Sequence, residues 1–151
     1  AADEKTRDAM ASRFRKIAEG ASLMAGAQYE VVEQPGSYSS NIYNKVFDDE
    51  YFRLASEAGL SPQRPDAKDR ASSDFANVSQ IMPCINLMYG ITGGREYPLH
   101  SDDFKTAASS PEAFEKTMTV AGIMAEMAVK YISDESFRNA VDQDFSARKN
   151  I

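Results

Sequence analysis

Cys84-Ile85-Asn86-Leu87-Met88-Tyr89 is a short, largely apolar run closed off by Pro83 and Gly90, and it constrains the fold more than any other stretch. A run of this length and bounding reads as a strand covered on both faces, the middle of a parallel sheet. Such a strand needs neighbours, because every buried backbone N–H and C=O has to find a partner. The chain offers one other strand. Gln28-Tyr29-Glu30-Val31-Val32-Glu33 alternates and carries β-branched and aromatic residues, and Pro35-Gly36 ends it. At least four helical patterns stand beside these two strands. Unless a further strand lies between residues 62 and 72, the chain undersupplies its own sheet, which predicts a missing partner segment.

The helices are written in steps of four and three. Met10, Phe14, Ile17, Ala21 and Met24 form one apolar stripe over residues 4 to 25, and Gly26 stops it. Phe47, Tyr51, Leu54, Ala55 and Ala58 form a second over about 44 to 58, with Asn44 as N-cap and Gly59 as stop. Ser110-Pro111-Glu112 combines a capping hydroxyl, a proline at the first helical position and a carboxylate near the positive end of the dipole. It opens a helix from 111 to about 132 with Phe114, Met118, Ala121, Ala125, Ala128 and Ile132 on one face, small enough in places for close approach of another element. Ser133 restarts a shorter helix with Phe137, Val141 and Phe145 on one side. Ser61 to Arg70, with two prolines and several charges, is expected to be exposed loop.

A net charge of −6 with scattered basic residues leaves no stripe to neutralise a phosphate backbone, so no nucleic-acid partner is expected. The longest strongly apolar run, 81 to 91, is far short of the ~20 residues a membrane helix needs, so no membrane partner is expected either. Cys84 stands alone, which excludes an intrachain disulfide. With no signal peptide ahead of the first helix, a cytoplasmic location is expected. Ala1-Ala2-Asp3-Glu4 has no initiator Met and runs straight into a helix, as in a piece of a longer protein.

His100 is the single histidine and the sharpest candidate for chemistry, with Asp102 and Asp103 close enough in sequence to orient it or add charge. A catalytic zinc takes about three protein ligands plus water. One imidazole does not make that set. Ser72-Ser73-Asp74 precedes a helical turn through Phe75, Val78 and Met82. Its amides could hold a carboxylate or amide oxygen, or Ser73 or Asp74 could be a plain N-cap; both readings stand together. Gly93-Gly94-Arg95 lacks the Lys-Ser/Thr ending of a phosphate loop. Met118, Met124, Met127 and Cys84 read as packing residues.

The segment Ser72-Ser73-Asp74-Phe75-Ala76-Asn77-Val78-Ser79-Gln80-Ile81-Met82-Pro83 resembles the one written Ser-Ser-Asp-Phe-Gly-Asn-Val-Ser-His in aminoacylase-like dipeptidases. These belong to the di-zinc metallopeptidases that include aminoacylase, glutamate carboxypeptidase, aminobenzoyl-glutamate hydrolase and the Xaa-Arg dipeptidase type. The resemblance continues through 84 to 89 and Leu99-His100-Ser101 into the long closing helix, covering most of 71 to 145. More loosely, 4 to 25 and 28 to 33 resemble the last helix and strand of that family's inserted lid, with a return through Ser37-Tyr38 to Asn44.

The resemblance implies an α/β fold: residues 37–151 as the C-terminal part of a three-layer catalytic domain with helices on a mostly parallel sheet, and residues 1–36 as the end of an α+β lid that also dimerises. It implies His100 as a zinc ligand and Ser72, Ser73, Asp74 and Asn77 as pocket residues. Two Zn2+ ions, or another divalent ion, serve each active site of the family, and this chain supplies at most one ligand. The family's His-x-Asp pair, bridging aspartate and Glu-Glu lie on an N-terminal half that is absent here. The implied function is hydrolysis of the amide of a dipeptide or N-acyl amino acid once that half is joined. The alternative is a noncatalytic dimerisation or binding module derived from the same fold.

Overall fold

The computed structural model describes residues 4–33, 36, 38–63 and 73–149, and over these the chain forms six helices and no strand. They are α1 Glu4–Ala25, α2 Lys45–Glu57, α3 Phe75–Ser79, α4 Asp102–Ala108, α5 Pro111–Ser133 and α6 Glu135–Lys149. The α/β expectation is therefore corrected: no sheet, parallel or otherwise, is present among the described residues.

Three helices make the core. Asn44 starts α2 by accepting the Phe47 amide on its Oδ1 at 3.0 Å. Its Nδ2 donates to the Val141 carbonyl at 2.9 Å, so one side chain caps α2 and ties it to α6. Tyr51, Leu54 and Ala55 of α2 pack against Ile123 and Met127 of α5, with Phe47, Phe52, Leu60, Ile85 and Leu87 around them. Burying a large side chain such as Leu54, Ile123 or Met127 is worth about 1.5–3 kcal/mol. α5 and α6 form a helical hairpin. Asp134 ends one helix and accepts the Phe137 amide at 2.9 Å, while Arg138 donates to the Tyr131 and Ile132 carbonyls that the end of α5 leaves over. The Tyr131 hydroxyl closes the pair on Asp142 at 2.8 Å.

The α5 stripe read from sequence turns out to be the outer one. The buried residues are Ala113, Val120, Ile123 and Met127, while Phe114, Met118 and Ile132 are 66%, 56% and 75% exposed. α5 is thus apolar on two faces and packs one of them. Of the methionines expected to pack, Met127 does; Met118 and Met124 stay exposed.

Neither expected strand forms: 28–33 and 84–89 carry no regular secondary structure, and no strand among the described residues pairs with them. From Ile85 to Ile91, half-buried Ile85, Leu87, Tyr89 and Ile91 alternate with exposed Asn86, Met88 and Gly90, a period of two. Ile85 and Leu87 rest on the helical core, and the Tyr51 hydroxyl donates to the Met88 carbonyl at 2.8 Å. Helices thus cover one side-chain face, and among the described residues no strand runs alongside to complete a ladder, which is why the segment is not sheet. Residues 28–33 are exposed throughout. They double back along α1, where Glu33 pairs with Arg15, and Arg7 then donates to the Tyr38 carbonyl at 3.3 Å.

α1 ends as expected at Gly26, whose φ of +64° is a conformation glycine adopts freely. Its stripe, however, packs against none of the other described helices, and Met10, Phe14 and Ile17 are all about 60% exposed. Most of the expected 61–70 loop lies outside the described residues, as do Pro35 and Ser37.

Candidate functional site

Ser73 and Asp74 sit at the entry to α3. The Ser73 hydroxyl accepts the Phe75 amide at 3.2 Å and donates to Asp74 Oδ1 at 3.3 Å. Asp74 occupies the N-cap position in helical conformation, with its side chain making no capping bond. Ser73 therefore does the local capping. Both side chains are exposed, and Ser72 lies outside the described residues.

The rest of α3, with Gln80 just after its end, is a fastener. Asn77 Oδ1 accepts the Ser39 amide at 2.7 Å, buried Ser79 Oγ accepts the Ile42 amide at 2.9 Å, and Gln80 donates to the Ser40 carbonyl. These three polar residues bind the chain running from 38 to 44 into Asn44. The Asn77 carbonyl oxygen assigned to a substrate pocket thus has a structural partner already. Sequence reading missed the fastening role because nothing local to α3 announces a partner some forty residues upstream.

His100 stands on a separate loop, in the turn before α4, with φ +63°, the single non-glycine residue with positive φ among those described. The approach is set by Thr92-Gly93-Gly94-Arg95, where positive φ at both glycines and an Arg95 amide bond to the Thr92 carbonyl at 3.2 Å make a tight reversal. A side-chain carbon on Gly93 would stand 3.1 Å from Glu112 Oε2, so the turn lies close against the first turn of α5. After His100, Ser101 Oγ accepts the Phe104 amide at 3.1 Å and begins α4. Asp102 and Asp103 occupy the first turn of that helix, where the dipole favours negative charge. Ser101 followed by two acids was a readable N-terminus signal for α4.

His100 is exposed, and no hydrogen bond or ion pair among the described residues engages its imidazole. Among those residues no three His, Cys, Asp or Glu side chains gather into a group able to hold a metal ion. A zinc ion needing about three protein donors is therefore not fitted by this chain's described residues alone. His100 can be one donor of a set completed elsewhere. The Cys84 thiol is half-buried, and burial pushes its pKa up, which suits packing rather than attack.

The strongest electrostatic feature lies away from these loops. Glu50 is 8% exposed on α2 and is held by Arg53 at 2.7 Å and by Lys130 of α5 at 3.0 Å. The Arg53 hydrogen bond, more than the Lys130 contact, keeps its carboxyl below the ordinary range against the opposing effect of burial. Lys130 also lies 4.6 Å over the Phe137 ring. This cluster joins all three core helices.

No helix among the described residues is long and apolar enough to cross a membrane. No protein-family model matches the chain, and none of the curated proteins matches it.

Proposed function

We propose that this chain is the C-terminal portion of a zinc-dependent amidohydrolase that acts in the cytoplasm on the amide of a dipeptide or N-acyl amino acid, joined to a polypeptide carrying the remaining metal ligands. The chemistry rests on the resemblance at 72–83 and 99–101. The observation that carries the need for a partner is the second apolar face of α5, where Phe114, Met118 and Ile132 remain more than half exposed. A helix apolar on both sides belongs inside a larger body, and contiguous exposed apolar surface marks a contact. The adjoining 85–91 segment supports the same reading, since it is packed on one side only. In this reading His100 contributes one ligand, and the Ser73–Asp74 turn positions substrate.

The test is co-expression with a polypeptide bearing the family's His-x-Asp and Glu-Glu elements. Hydrolysis of N-acyl amino acids or dipeptides should appear with the joined form alone. His100→Ala should abolish it and leave about one zinc per active site with the fold intact. Unchanged hydrolysis in that variant overturns the ligand role.

One observation favours the alternative of a noncatalytic dimerisation module. The exposed Met10, Phe14, Ile17, Ala21 and Met24 stripe of α1 has the spacing of a helix–helix seam. A dimer through α1 is expected of both readings, so sedimentation of the chain has to be joined to the hydrolysis assay to separate them. A dimer lost in Phe14→Glu, together with no hydrolysis in any joined form, favours the module.

A further inference from the structure

We draw no further inference here: the strongest candidate, the exposed apolar face of α5 from Phe114 through Met118 to Ile132, is already taken by the partner proposed above, and nothing in the structure shows what else would cover it.

Discussion

Glu50 is an acid enclosed between two bases, and the consequence for pH follows from the direction of its shift. Its folded pKa lies below the ordinary 4.5, so the charged form is favoured by folding. The stabilisation is complete above the unfolded pKa and is lost as pH falls through the folded one. Glu50→Gln should cost about 1–3 kcal/mol near neutrality, between the worth of an exposed pair and that of a buried one. Urea titrations of both proteins should converge once the pH is well below 4.5. A gap that persists in acid would mean that shape, and not charge, is what the cluster supplies. His100 is the opposite case, a side chain that costs the fold something. Its φ of +63° is strained for any residue with a Cβ. His100→Gly should raise stability by about 0.5 kcal/mol, the relief of strain outweighing the added freedom of the unfolded chain. A drop in the urea midpoint would show instead that the imidazole packs usefully. Higher stability with lost hydrolysis in the joined enzyme is the signature of a residue kept for chemistry.

At the scale of elements, helix starts were the most legible part of the sequence, because a cap is a local agreement between one side chain and one amide. Asn44 and the Ser110-Pro111 pair sit where their chemistry requires. Strands were the least legible, since a ladder is a bargain between distant segments. The segment from Ile85 to Tyr89 was read as covered on both faces, yet it packs on one, with Ile85, Leu87 and Tyr89 inward, and no strand among the described residues lies beside it. The apolar periodicity of α5 was also read correctly as a helix, though the inward stripe proved to be Ala113, Val120, Ile123 and Met127. Two stripes of similar hydropathy leave orientation to be decided by α2 and α6. For the candidate site, Ser73 was legible as a capping residue, whereas Asn77 was not legible as a clamp on Ser39. The α5–α6 hairpin depends on Arg138 at the carbonyls of Tyr131 and Ile132. Arg138→Ala should lower stability by about 1–2 kcal/mol through those uncapped groups. Faster hydrogen exchange confined to residues 129–138 would locate the loss; uniform change would contradict it.

For the whole molecule, methionines report on assembly. Met118 and Met124 are each 56% exposed, and Met127, on the same helix, is 4% exposed. Peroxide footprinting of the isolated chain should oxidise the first two and spare the third. Joining to the proposed N-terminal half should protect Met118, on the outer face, and leave Met127 unreactive as before. Continued oxidation of Met118 in an active joined enzyme would remove α5 from the contact.

The two-sided character of α5 also has a thermodynamic consequence. The backbone that carries Ile123 and Met127 inward carries Phe114 and Ile132 outward, so anything seated outside braces the same rod that anchors the interior. Occupancy and melting are then linked variables, and the thermal midpoint of the three-helix unit climbs with the concentration of whatever binds there.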